Sequence, residues 1–174
     1  MIDLTGHLAL VTGASRGIGR ACALRLAEAG ADVIVNYVSA RAAAEDTAKQ
    51  IQEMGRRTAV VKADISEQDD ILSMMEFVKT KFGKLDILVS NAATGGFRPL
   101  LSTTARQFEA AMNTNTRALL FLMQAAAGLL RRKEGRAKVI ALTSHGSQLA
   151  LPMYGLIGST KAALESLARH LALE

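Results

Sequence analysis

Three glycines, Gly13, Gly17 and Gly19, stand within the stretch Val11-Thr12-Gly13-Ala14-Ser15-Arg16-Gly17-Ile18-Gly19-Arg20. The chemistry open to such a stretch is phosphate binding. Glycine takes backbone angles that residues with a Cβ resist, and it lets the main chain come close to a ligand. The apolar run Leu8–Val11 precedes the glycines and an amphipathic segment, residues 18–29, follows them, which is the order strand, tight turn, helix. Free N–H groups and the positive dipole end at a helix N-terminus favour an anion. The spacing Gly-x-x-x-Gly-x-Gly differs from the G-x-G-x-x-G fingerprint, and no Lys-Ser/Thr pair follows to make a triphosphate loop. Its place in a βαβ pattern still favours a bound phosphate over glycines kept for packing alone. Gly13, Ser15, Arg16, Gly17, Ile18 and Gly19 are the candidate contacts.

Two cations bear on which nucleotide would lie there. A carboxylate that grips a ribose 2′-hydroxyl belongs about 20 residues beyond the glycines, at the end of the second strand. Asp32 is at the wrong end of that strand, and Asn36-Tyr37 stand where the carboxylate would be. Arg16 lies in the glycine turn and Arg41 just past the strand. A missing carboxylate with two cations fits a 2′-phosphate, hence NADPH; the plainer alternative is that Arg41 merely faces water at a helix start. Ser144 is followed directly by His145, and neighbours at a strand end point apart, which argues against a Ser-His nucleophile pair. No metal-ligand spacing is present.

The elements that must position these residues alternate. A second strand spans Asp32–Tyr37, and Ala44, Ala48, Ile51 and Met54 then recur at helical spacing before Gly55. Residues 58–63 read as a third strand, followed by a helix with Ile71, Met75, Val78 and Phe82 on one face. Residues 86–90 form a fourth strand running into Asn91-Ala92-Ala93. A loop with Gly95, Gly96 and Pro99 leads to a long helical region over about 103–132. Residues 138–143 are a fifth strand, and 161–173 begin or continue a last helix with Leu164, Leu167, Ala168 and Leu171 inward. Strands apolar along their whole length imply an α/β fold, a parallel sheet covered by helices on both faces. Ligands on such sheets bind at the carboxyl ends of the strands near the switch point. Gly13 to Gly19, Tyr37, Ser39 and Arg41, Asp64 with Ile65, Asn91 with Ala92, and Ser144 all follow strands and converge there.

Composition bounds the rest. The chain has 174 residues, 49% hydrophobic and 21% charged, which fits one soluble-type domain over 1–174. No apolar run approaches the roughly 20 residues of a membrane span, and no secretory signal opens the sequence. The one cysteine, Cys22, is expected as a small buried hydrophobe on the apolar face of the first helix with Ile18 and Leu26, and a cytoplasmic location is the default. Net charge is +5, but the cations are scattered and aromatics make up only 4%, which disfavours nucleic acid. The dense cluster Arg131-Arg132-Lys133, with Arg136 and Lys138, is either a solvated helix end or a surface for an acidic partner.

Thr12-Gly13-x-x-x-Gly17-x-Gly19, Asp64, Asn91-Ala92-Ala93, Asn115, Ser144 and Lys161 follow in order the motifs of the short-chain dehydrogenase/reductase superfamily, which the chain resembles over nearly its whole length. The catalytic tyrosine of most members stands four residues before the lysine, where this sequence has Ile157; its tyrosine is Tyr154, giving Tyr-(x)6-Lys. That pattern and the segment 91–99 are similar to the NADPH-dependent enoyl-acyl-carrier-protein reductases of bacterial fatty-acid synthesis. Ala93 stands where the superfamily usually has glycine. The resemblance implies a Rossmann-like doubly wound parallel sheet that binds NADP, here lacking the family's C-terminal strands and substrate-covering segment. The fifth strand would then be a sheet edge, inviting self-association.

The same resemblance assigns roles. Lys161 would hold the nicotinamide ribose hydroxyls and set a cation near Tyr154. Tyr154 would hydrogen-bond the developing enolate oxygen, with Ser144 as a second hydroxyl and Asn115 as a supporting polar residue. An acidic acyl carrier protein would be the partner, and a homo-oligomer, dimer or tetramer, the assembly. Offsets of four and seven return to nearly one helix face, but seven adds about 4.5 Å of rise. A ketone takes hydride at the carbonyl carbon, beside its oxygen. An enoyl thioester takes it at C3, further from the oxygen that gains charge, which suits a displaced donor. Pro152 and Gly155 leave open that Tyr154 lies off the helix. The alternatives are a 3-oxoacyl or other carbonyl reductase, and a non-catalytic NADP-binding relative.

Overall fold

Alternate residues of a strand leave a sheet on opposite faces, and in this chain both sets are apolar. The computed structural model describes residues 2–130 and 137–174. Its strands are β1 (Leu8–Val11), β2 (Asp32–Tyr37), β3 (Thr58–Lys62), β4 (Ile87–Ser90) and β5 (Lys138–Ala141). They pair in parallel in the order β3-β2-β1-β4-β5. Leu8, Leu10, Ile34 and Leu88 leave one face and pack with Ile71, Met74 and Val78 of α3 (Gln68–Phe82) and Leu122 and Ala126 of α5 (Ala118–Leu130). Ala9, Val11, Val33, Val35, Ile87 and Val89 leave the other and pack with Ala23 and Ala27 of α1 (Gly17–Glu28) and Ala44 and Ile51 of α2 (Arg41–Glu53). Each fully buried Leu, Ile or Val side chain stabilises the sheet–helix sandwich by about 1.5–3 kcal/mol. The doubly wound fold expected from the sequence is the one present.

Two details differ from the expectation. The helical region before β5 is not continuous. A 3-10 turn at Leu100–Ser102 precedes α4 (Ala105–Met112), a π turn spans Asn113–Arg117, and α5 follows. Thr104 sets the start of α4 by accepting from the Gln107 amide at 3.3 Å, while Gln107 Oε1 accepts from the Thr104 amide at 3.1 Å, a capping box. On α1 the residues that meet the sheet are the small Gly19, Ala23 and Ala27. Ile18 is 66% exposed and Cys22 only half-buried, so helix and sheet approach closely through small side chains rather than through the larger ones. The last helix, α6 (Gly155–Leu171), starts ahead of Lys161 and buries Leu156 and Leu164. β5 is the edge strand, and its Val139 and Ile140 are exposed.

Candidate active site

The strand order places the switch point between β1, whose next strand lies to one side, and β4, which lies to the other. Buried Thr12, directly after β1, joins the two strand ends. Its Oγ1 accepts from the amides of Asn91 and Ala92 at 2.9 and 3.0 Å, and donates to Val89 O at 3.3 Å. Asn91 Nδ2 returns a bond to Thr12 O at 2.8 Å. On the other side, Asn36 is 1% exposed. Its Oδ1 accepts from the Gly13 amide at 3.1 Å and its Nδ2 donates to Ala63 O at 3.0 Å. The glycine turn is thus pinned from both neighbouring strands.

The glycines inside it do different things. A Cβ on Gly19 would lie 2.4 Å from Asn91 Nδ2 and 2.5 Å from Gly13 O, so Gly19 lets α1 press against the strand ends. Gly17 has φ +56° and nothing within 4 Å of its Cβ position, which leaves open space at the first turn of α1. Ser15 is buried beneath the turn; Arg16 and Ile18 are exposed at its mouth. An uncapped helix start, an exposed cation and an open glycine form a donor set suited to a pyrophosphate.

The remaining residues expected at the nucleotide end divide. Asn36 and Tyr37 at the end of β2 are both buried, Asn36 held by its hydrogen bonds to Gly13 and Ala63 and Tyr37 packed in the core. The first exposed residues after β2 are Val38 and Ser39, neither a carboxylate. Arg41 is exposed at the start of α2 and its Nε meets Glu45 Oε1 at 2.8 Å, so it has a local partner. Asp64 Oδ1 accepts from Ser66 N and Oγ at 2.9 and 2.8 Å. Ile65 is 2% exposed and packs in the core, leaving only its main chain to face a ligand.

The chemistry-bearing end is built by α6 and the segments packed against it. Asn115, 4% exposed in the π turn, donates from Nδ2 to Thr94 O at 2.8 Å and to Thr160 Oγ1 at 3.0 Å. Its Oδ1 accepts from the Thr94 amide at 2.8 Å, so it fastens the loop after β4 to α6. π turns inside helices recur at functional sites. Tyr154 is the N-cap of α6, off the helix proper, and its hydroxyl donates to Ser144 Oγ at 3.0 Å. Its ring lies where a side chain on Gly146 would stand, a Cβ there falling 2.3 Å from the ring. Met153 before it has φ +60°, a strained conformation for a residue with a side chain. Lys161 is 6% exposed, donates to Leu142 O at 2.7 Å, and is pushed below the ordinary lysine pKa by burial. Ile157 turns to Gly95, whose Cβ would meet Ile157 Cγ1 at 2.6 Å.

A family model described as Enoyl-(Acyl carrier protein) reductase matches residues 13–174. The chain belongs to the short-chain dehydrogenase/reductase superfamily. It is 37% identical over 173 residues to the hydroxynaphthalene reductase-like protein Arp2 of Metarhizium robertsii, covering 99% of this chain and 64% of that protein. It is 35% identical over 168 residues to a 1-cyclohexenylcarbonyl-CoA reductase of Streptomyces collinus, covering 97% and 59%. Among solved structures, a short-chain dehydrogenase of Burkholderia cenocepacia in complex with NADP superposes with TM-score 0.89 at 35% identity, covering 98% of this chain and 70% of that one. The landomycin C-6 ketoreductase LanV, with bound NADP and rabelomycin, gives 0.88 at 36%, covering 98% and 72%. The chain therefore spans somewhat under two thirds of the length of these curated relatives.

In this short-chain dehydrogenase/reductase the structure brings Ser144, Tyr154, Lys161 and Asn115 around the start of α6, and Gly13 to Gly19 with Asn91 and Ala92 around the switch point. Sequence reasoning missed Glu165, one turn beyond Lys161. Its Oε1 accepts from Thr143 Oγ1 at 2.5 Å, and Ser147 Oγ lies 2.6 Å from it and 2.7 Å from Ser144 O. The Ser147 and Thr143 hydroxyls hold its carboxyl below the usual carboxylate range. The bracket ties the Ser144 loop to α6. Its one sequence signal is a carboxylate set four residues from a cation on either side, Lys161 and Arg169, along one face of α6.

Proposed function

We propose that the protein is an NADPH-dependent enoyl-acyl-carrier-protein reductase, acting on the C=C bond of an enoyl thioester. The observation that carries this is the identity and placement of the phenol. Ile157 fills the position four before Lys161 and faces Gly95, while Tyr154, seven before, caps α6 against Ser144. The family model's description and the unsaturated thioester named in the Streptomyces relative support the same reaction class.

NADPH, when bound, supplies a hydride to C3 of the enoyl group. Gly17 and the first turn of α1 suit its pyrophosphate, Arg16 and Arg41 its 2′-phosphate, and Lys161 its ribose hydroxyls. Ser39, Asp64, Ile65, Asn91 and Ala92 line the strand ends between these points. Tyr154 would donate a hydrogen bond to the thioester oxygen, on which negative charge develops, and the enolate would then take its proton at C2 from solvent to give the saturated thioester. Ser144 holds the phenol before substrate arrives, and Asn115 keeps the 94 loop fixed against α6. The acyl chain is carried by acyl carrier protein; the net charge of +5 supports an acidic carrier. The cluster Arg131, Arg132, Lys133 and Arg136 lies outside the described residues, and Lys138 is exposed. Family resemblance supports a homo-oligomer. No helix among the described residues is long and apolar enough to cross a membrane.

Carbonyl reduction is the second reading, favoured by the Ser144–Tyr154 hydroxyl pair and by the ketoreductase neighbour. NADPH consumption with a trans-2-enoyl thioester and with a 3-oxoacyl thioester separates the two. The expected result is at least about tenfold faster turnover of the enoyl substrate, a difference of about 1.4 kcal/mol in barrier; the reverse order supports the second reading.

Cofactor choice has its own test. Arg16→Ala with Arg41→Ala is expected to raise the NADPH dissociation constant about tenfold or more, with NADH affected far less. Fluorescence titration of each reduced nucleotide reads this directly. Equal losses for both would remove these cations from 2′-phosphate recognition.

A further inference from the structure

Two segments beside Tyr154 carry almost no charge. Between Ala93 and Thr104 the one charged residue is Arg98, and between Gly146 and Thr160 there is none. Within them Phe97 is 70% exposed, with Leu100, Leu151 and Met153 also exposed. The Phe97 and Tyr154 ring centroids are 5.6 Å apart with planes at 42°. The Arg98 amide donates to Met153 O at 2.9 Å, fastening the two segments together beside both rings. Leu151 adjoins Gly146, against which the Tyr154 ring lies, and Leu100 adjoins Gly155 at the start of α6. Leu100 also borders a groove of about 400 Å³ whose apolar wall is Leu100, Ala105 and Phe108 and whose polar rim is Thr103, Thr104, Glu109 and Ser159. Contiguous apolar exposure of this kind marks a surface built to be covered.

We infer that Phe97 is a specificity-determining residue that packs against the acyl chain of the substrate, and that the chain is apolar and of medium length or longer. This rests on the reading of Tyr154 as the group that meets the thioester oxygen. The patch is continuous with that phenol, so whatever presents a carbonyl to Tyr154 runs its apolar part over Phe97. The Phe97 and Tyr154 rings are neighbours, with centroids 5.6 Å apart, so a ten-carbon chain leaving Tyr154 covers more of Phe97 and of the surface toward Leu100 than a four-carbon group does. Arg98 is the lone charge of the two segments, so the surface immediately beside Tyr154 suits an apolar chain better than a sugar or an acid.

The sequence contains no tryptophan, so Phe97→Trp introduces a single indole as a reporter in the intact protein. With NADP+ present, the unreactive saturated ligand decanoyl-pantetheine is expected to give a saturable blue shift of its emission. Butanoyl-pantetheine is expected to need at least about tenfold higher concentration, the apolar burial of the longer chain being lost. In parallel, Phe97→Ser is expected to raise KM for decenoyl-pantetheine about tenfold or more, and for butenoyl-pantetheine several-fold less. An indole blind to chain length, or a KM increase equal for both thioesters, overturns the inference. The fluorescence readout does not depend on which reaction is catalysed. A wild-type protein that reduces no enoyl thioester while the indole still distinguishes the two ligands refutes the proposed reaction and leaves the role of Phe97 standing.

Discussion

Tyr154→Phe is expected to lower turnover of an enoyl thioester by about 10²–10³, the worth of one donor aimed at a developing oxyanion, with NADPH affinity changed little. The substitution removes one hydroxyl and keeps the ring that lies against Gly146 and beside Phe97. The fold therefore has little to lose beyond the bond to Ser144, about 1 kcal/mol for a half-buried hydroxyl pair. Adding Ile157→Tyr does not restore the rate. The side chain at 157 is directed at Gly95, with its Cγ1 2.6 Å from where a Cβ on that glycine would sit, so a phenol ring there strikes the loop rather than meeting Ser144. Steady-state kinetics with a nucleotide titration check both statements. A Tyr154→Phe protein with near wild-type turnover would remove Tyr154 from the chemistry.

The second large effect is at Lys161. Lys161→Met is expected to reduce turnover about 10²-fold or more, as for loss of a cation set at a reacting centre, and to weaken NADPH binding with it. Stability responds differently. Burial lowers the lysine's folded pKa below its ordinary 10.5, so the folded state holds its proton less tightly than the unfolded chain. In the window between the lowered value and 10.5 the unfolded state binds more protons, and wild-type stability rises with pH there. Below that window Lys161 is charged in both states and is a burden on the fold. Methionine removes that burden but leaves Leu142 O without its donor, a loss of about 1–3 kcal/mol. The two offset, so the melting temperature at neutral pH changes little while activity collapses, and the alkaline rise in stability flattens. Thermal denaturation across pH 7 to 10.5 reads this slope. A variant that unfolds readily yet keeps turnover would make Lys161 a structural residue.

The strands were legible because each is a short apolar run bounded by turn signals, and the parallel sheet followed from runs with no polar alternation, as in Val33-Ile34-Val35. The glycine turn was legible because the conformations it needs exclude other residues; Gly13 and Gly17 have positive φ. Asn36 was legible only as the absence of a carboxylate; its structural task was not, because its amide is consumed by Gly13, Val61 and Ala63, which lie 23 to 27 residues away in the chain. The α1 face was misread for a related reason: periodicity weights large residues, and this helix packs through Gly19, Ala23 and Ala27. The π turn at Asn113–Arg117 has no sequence period of its own, so it was absorbed into one long helix. Tyr154, Lys161, Ser144 and Asn115 came from resemblance, and their meeting around α6 depends on contacts such as Asn115 with Thr160 that no spacing rule supplies.

The most direct test of enoyl reduction is where the transferred hydrogen ends up. The intact protein is given a trans-2-enoyl thioester and NADPH carrying deuterium at the transferable position, and the product is analysed by mass spectrometry and NMR. The account predicts a saturated acyl thioester with one deuterium at C3, formed by wild type and about 10²–10³ times more slowly by Tyr154→Phe. No label in the acyl group, with deuterium appearing instead on the carbinol carbon when a 3-oxoacyl thioester is supplied, would contradict it.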